Sequence, residues 1–179
     1  MDSASPVHNW IYRGIFLSVA ATIILIQLLP LDTLPPSIPA PDVLPILTFA
    51  WVLRRPEYVP IALVGLVFLF ADLFFMRPPG LWAALIVVGA EVLRARGLAF
   101  REMPFIFEWA LVGAVMAAVT LANQVVLAIT VTPAPGLAAS LIQMVLTILI
   151  YPAAAIVTRL LFKVRRPTPG ELSARRVRL

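Results

Sequence analysis

Cysteine is absent from this 179-residue chain, and histidine and lysine each occur once, as His8 and Lys163. No cysteine means no disulfide, no thiolate metal site and no cysteine nucleophile. A single imidazole in a short terminal segment leaves neither a histidine-based zinc site nor a serine–histidine triad. No glycine-rich phosphate loop with its lysine is present. The carboxylates inside apolar stretches are few and scattered, which argues against a proton relay and against an enzyme. Charge is also scarce. Only 13% of residues are charged while 61% are hydrophobic, and mean hydropathy is +0.99. A water-soluble fold of this size could not cover so much apolar surface, so lipid is the expected solvent.

Six apolar runs fill the chain, at 11–31, 38–53, 59–76, 80–93, 104–129 and 136–162. They predict an all-α, polytopic membrane bundle of about six transmembrane helices. This is a single domain over 1–162, followed by a basic tail over 163–179. A helix needs about 20 residues to cross a hydrocarbon core about 30 Å thick. Runs one, five and six qualify comfortably and run three just does. Runs two and four are short, either short spans in a locally thinned bilayer or re-entrant segments shielded by the others. The first run, followed by Gln27, Pro30 and Asp32 without a small-x-small site, reads as a retained helix and not a cleaved signal.

Arginine sets the orientation. With six spans and the N-terminus inside, 13 of the 14 basic residues lie on the cytoplasmic side and only Arg77 lies outside. A four-span alternative that drops the short runs keeps 12 of 14 inside. Both place the two termini in the cytoplasm. The arginines flank apolar segments, so membrane orientation explains the net charge of +5 better than nucleic acid does. The tail is expected to lie along the anionic inner leaflet, in contact with membrane lipids. Prolines 35, 36, 39 and 41 make the first outer loop a stiff strap.

Most polar groups within the runs fall in their outer halves: Gln27, Asp42, Thr48, Asp72, Asn123, Gln124 and Gln143. They are expected to form either a polar pocket facing outward or a set of interhelical hydrogen bonds. Gly65 lies two turns before Asp72 on the same helix face, where a small residue admits a neighbouring helix. Glu91 and Arg94 are spaced to pair on one helix. Glu108 suits the positive end of helix five. Trp10, Trp51, Trp82 and Trp109 fall near span ends, as an interfacial belt would. Gly113 and Ala117 fit close helix packing. Pro152 is expected to bend the last helix.

The stretch from Pro39 to Arg96 carries an ordered set of features. Pro41-Asp42 follows the proline-rich loop, an apolar run ends in Trp51, and Arg54-Arg55-Pro56-Glu57 follows. Then come Gly65, Asp72-Leu73 and Pro79-Gly80-Leu81. This order resembles the rod shape-determining protein MreD family, as do Tyr151-Pro152 and the arginine-rich end. One departure is that Gly65 is followed by Leu66–Ala71, without the glycine-rich approach to the aspartate common in that family. The resemblance implies a non-catalytic component of the bacterial cell-elongation machinery in the cytoplasmic membrane, without a cofactor. It implies association with MreC and, through it, with MreB, RodA and a penicillin-binding transpeptidase. It also implies a fold like the substrate-binding subunits of energy-coupling vitamin transporters, which bind ligands on their outer side. The residues it singles out for recognition and architecture are Pro41, Asp42, Gly65, Asp72 and Gly80. A vitamin-type transporter subunit is the alternative function, with Ala20-Ala21 and Gly65 as its small-residue docking motifs.

Overall fold

The computed structural model describes residues 6–29, 39–97, 104–132 and 136–160. It is all-helical among those residues. The elements are α1 (Pro6–Leu28), α2 (Val43–Arg54), α3 (Ile61–Phe74), α4 (Leu81–Gly97), α5 (Phe105–Ile129) and α6 (Leu137–Leu160). Three of them, α1, α5 and α6, are long and apolar enough to cross a membrane. Each apolar run became one helix, with ends shifted by up to five residues: α1 starts at Pro6 and not at 11, and α2 at Val43 and not at 38. The tail at 163–179 and most of the proline strap lie outside the described residues.

Contacts across the bundle fix the helix directions. Arg13 on α1 reaches the Glu57 carbonyl, and Tyr12 stacks on Tyr58, so α1 begins where α2 ends. Arg94 near the end of α4 donates to the Val59 carbonyl at the start of α3, 2.7 Å away. Gln124 on α5 meets Ser140 on α6, and Glu108 meets Tyr151, so those two helices run antiparallel. Successive helices therefore alternate in direction. Six of the seven described arginines gather at one end, here the arginine end, and only Arg77 lies at the other.

Helix α2 is the centre of the bundle. Every residue from Leu44 to Arg54 is buried, and α6, α4 and α1 pack around it. At about 1.5 Å per residue its 12 residues span about 18 Å, well short of the hydrocarbon thickness. Shielding on all sides removes the cost of a short helix in lipid, because no face or frayed end meets hydrocarbon. The other helices are one-sided. On α3, Val64, Val67, Phe68, Ala71 and Asp72 face inward, while Leu66, Leu69, Phe70, Leu73 and Phe74 are exposed. That is the pattern of a helix with one protein face and one lipid face.

Gly89 marks the tightest crossing. A Cβ there would lie 3.0 Å from Val115, 3.2 Å from Phe49 and 3.2 Å from Val119, so α4, α2 and α5 meet at this point. A Cβ at Gly113 would stand 3.3 Å from Ile148, which places that glycine at the α5–α6 contact. Two tryptophans depart from the expected interfacial belt. Trp51 is fully buried against Phe16, and Trp82 is 9% exposed. Only Trp10 stands well exposed, with Arg13 over its ring. Large aromatic rings fill a core as well as they anchor an interface, so proximity to a span end did not separate the two uses.

Candidate functional site

A cavity of about 330 Å³ opens at the end opposite the arginines. Helices α5 and α6 contribute Asn123, Gln124, Ser140, Gln143 and Thr147 to its wall, the α3–α4 turn contributes Arg77, and the first turn of α4 contributes Trp82. Asp42, at the N-cap of α2, completes the polar side. Met116, Met144, Leu81 and Leu127 make the apolar side. Four of the polar residues expected from sequence, Asp42, Asn123, Gln124 and Gln143, thus share one wall. Gln27 is exposed near the end of α1, with its amide beside the Asp42 carboxylate.

Hydrogen bonds hold this wall in place. Thr147 Oγ1 accepts from the Asp42 backbone N–H at 2.9 Å, and Gln143 donates to the Ala40 carbonyl at 2.9 Å. Together they fasten the entry to α2 onto α6, so residues beside Pro41 belong to the cavity rim. Gln124 donates to Ser140. The Asp42 carboxylate and the Arg77 guanidinium stand 3.8 Å apart, too long for a hydrogen bond. The guanidinium also lies over the rings of Phe75 and Trp82, at 5.1 and 5.6 Å. The indole N–H of Trp82 is buried and has no acceptor among the described residues.

Asp72 sits behind this wall and does not line the cavity. It is fully buried, and one carboxylate oxygen accepts from the backbone N–H groups of Gly80 and Ala83, at 3.0 and 3.2 Å. These are donors that the first turn of α4 cannot satisfy internally. A carboxylate on α3 therefore caps α4, where the helix dipole also favours negative charge. Gly80 holds the turn in a left-handed conformation, φ +86°, which costs a glycine least. A Cβ at Gly65 would stand 3.6 Å from Val87 of α4, an ordinary contact, so the expected close approach at this glycine is not seen. Asp72 and Gly80 thus act together on the α3–α4 hairpin. Asp42 and the strap end at Pro41 belong to the cavity.

At the arginine end Glu108 carries more than a helix-terminus role. It lies in the first turn of α5, as expected, but Arg54 pairs with it at 3.0 Å, and the Tyr151 hydroxyl donates to it. Both side chains of the ion pair are buried, at 9% and 3% exposure. The pair joins the end of α2 to α5 and α6. In the sequence Arg54 reads as an orientation signal and as part of the Arg54-Arg55-Pro56-Glu57 stretch, not as the partner of Glu108. Positions 54 and 108 are far apart in the chain, and nothing in the local pattern joins them. The expected Glu91–Arg94 pair is present at 2.6 Å.

Among the described residues no group of three or more His, Asp or Glu is placed to hold a metal ion. No family model matches the chain, and no curated protein or solved structure matches it.

Proposed function

We propose that this chain is a non-catalytic scaffold of the bacterial cell-elongation machinery, resembling MreD and positioning MreC beside the enzymes of wall synthesis. The observation that carries this reading is the use made of the buried carboxylates. Asp42 stands against Arg77, with its backbone N–H bonded to Thr147. Asp72 caps α4, and Glu108 ties α2 to α5 and α6. Asp72 and Glu108 hold helices in register through their carboxylates, and Asp42 does so through its backbone N–H, as a framework needs. Of the motif residues, Asp42, Arg54, Asp72 and Gly80 help to fix α2, α3 and α4.

In this reading the chain is a multi-pass protein of the cytoplasmic (inner) membrane that crosses it six times. The arginine end faces the cytoplasm and the cavity faces outward. The alternation of helix directions and the gathering of arginine at one end support that arrangement. MreC is the direct partner, and MreB, RodA and a transpeptidase join through it. Co-purification tests the proposal. Asp72→Asn and Asp72→Ala, which loosen the α3–α4 hairpin, are expected to weaken recovery of MreC and to round the cells. Folded, inserted variants that keep MreC and rod shape would remove Asp72 from that role.

The cavity favours a second reading, a vitamin-type transporter subunit. Its docking motifs support it poorly, because Ala20 is buried in the core and Gly65 faces Val87 of α4. Thermal-shift screening against vitamins, with recovery of an ATPase at the arginine end, distinguishes the two.

A further inference from the structure

We propose that the cavity binds one neutral, hydroxyl-rich molecule of about monosaccharide size through Thr120, Asn123, Gln124 and Gln143. The site goes beyond the scaffold and transporter readings and depends on neither.

The charges that line the cavity are matched within the protein. Asp42 is buried, its carboxylate takes the Leu44 backbone N–H and the Gln27 amide, and Arg77 stands 3.8 Å away. The Arg77 guanidinium lies over the Phe75 and Trp82 rings, and its side chain keeps 36% exposure. Neither charge lacks a partner or solvent. An ion in the cavity would be attracted by one of them and repelled by its neighbour. The ligand therefore carries no net charge.

The neutral groups are not spent in this way. Thr120 and Asn123 line the cavity, and neither side chain has a hydrogen-bond partner among the described residues. Thr120 is the exception among helical hydroxyls. Ser18, Thr22, Thr48, Thr130 and Thr158 each donate to the carbonyl four residues earlier, the usual resort of such groups. Gln124 and Gln143 spend an N–H on Ser140 and on the Ala40 carbonyl, and keep their side-chain oxygens.

This inventory selects hydroxyl groups. Three amide oxygens and one hydroxyl leave more acceptors than donors, so the ligand brings several donors. Thr120 lies one helical turn, about 5 Å, below Asn123 and Gln124. Gln143 stands on the neighbouring helix. Hydroxyls set around a compact ring reach two depths and two helices, whereas a planar base presents its donors in one plane. Met116, Met144 and Leu127 give the C–H faces of such a ring an apolar seat. The volume of about 330 Å³ sits at the lower end of the range for small-ligand sites, about 300–1,000 Å³.

The test uses the full chain in lipid nanodiscs, with D-glucose, D-galactose and D-mannose as probes and empty nanodiscs as the reference. Saturation-transfer NMR titration is expected to show saturable binding of at least one sugar. The uronate of that sugar, and its 2-amino form at acidic pH, should bind at least about 10-fold more weakly, because each brings a charge the cavity does not match. Thr120→Val and Asn123→Leu keep the approximate shape and remove the polar groups. Each should weaken the sugar about 2–10-fold. Without sugar both variants should melt at or above the temperature of the unaltered chain, because the lost groups bond nothing within the fold. The proposal is overturned if none of the three sugars gives a saturable signal with the unaltered chain, or if either charged form binds as tightly as its neutral parent. Folded variants that bind the sugar unchanged would overturn it as well. So would a lowered melting temperature in either variant, which would place that group in the hydrogen bonding of the fold itself.

Discussion

The Trp109 indole donates to the Ile148 carbonyl at 2.8 Å. That carbonyl is the one that Pro152, four residues on, leaves without its helical partner. In lipid an unpaired carbonyl is costly, and a neighbouring helix supplies the missing donor. The proline in α6 and the tryptophan on α5 are thus two halves of one device, which keeps α6 continuous from Leu137 to Leu160.

Replacing Trp109 with Phe removes the donor and keeps most of the ring. The expected loss is about 1–3 kcal/mol, the cost of an unsatisfied polar group. Pro152→Ala returns the backbone N–H to the helix and frees the carbonyl from its need. The Trp109→Phe change should therefore cost less in a Pro152→Ala background. Denaturation of the four proteins of this cycle in detergent measures the coupling. Additive losses would show that the two residues act independently.

The Arg54–Glu108 pair responds asymmetrically to substitution. Either Arg54→Met or Glu108→Leu alone leaves a buried charge and is expected to cost about 3–5 kcal/mol. The double change removes both charges and should recover most of that loss. Tyr151→Phe leaves the ion pair and removes one hydrogen bond, with a smaller effect of about 1–2 kcal/mol. Thermal unfolding in nanodiscs ranks the variants.

Glycine substitutions separate the helix crossing from the open surface. Gly89→Ala brings a methyl group to 3.0–3.2 Å from three side chains on two helices. The expected destabilisation is about 1–3 kcal/mol, the usual cost of overpacking. Gly14→Ala meets nothing within 4 Å and gains helix propensity, so it should be neutral or slightly stabilising. Equal melting temperatures for the two variants would contradict the crossing.

Capping by Asp72 has a local signature. Asp72→Ala should cost about 0.5–2 kcal/mol, as loss of an N-cap does. Amide hydrogen exchange should speed up at Gly80 and Ala83, whose N–H groups lose their acceptor. Faster exchange spread along all of α4, or none at those two amides, would assign Asp72 another role.

The six helices were legible because apolar runs and their arginine punctuation are local in sequence. The polar wall was legible for a similar reason: Asn123, Gln124 and Gln143 within apolar helices, and Asp42 at the head of one, stand out against aliphatic neighbours. The placement of α2 was not. A helix buried in protein and a helix facing lipid carry the same apolar side chains, so hydropathy does not tell the centre from the rim. For the same reason Trp51 and Trp82 read as interfacial. Asp72 and Gly80 could be singled out, but not the bond between them. The pairs Arg54–Glu108 and Trp109–Ile148 join distant positions through geometry alone. Gly89 differs from Gly14 only in what surrounds it.

Cysteine accessibility in intact cells tests the six-span orientation most directly, and the chain has no cysteine of its own to interfere. Met76 and Val131 are 93% and 89% exposed at the cavity end, while His8 and Ala95 are exposed at the arginine end. Single cysteines at 76 and 131 should react with a membrane-impermeant maleimide from outside, and those at 8 and 95 only after the membrane is opened. Labelling of position 76 that requires an opened membrane, on the same side as 8 and 95, would contradict the account.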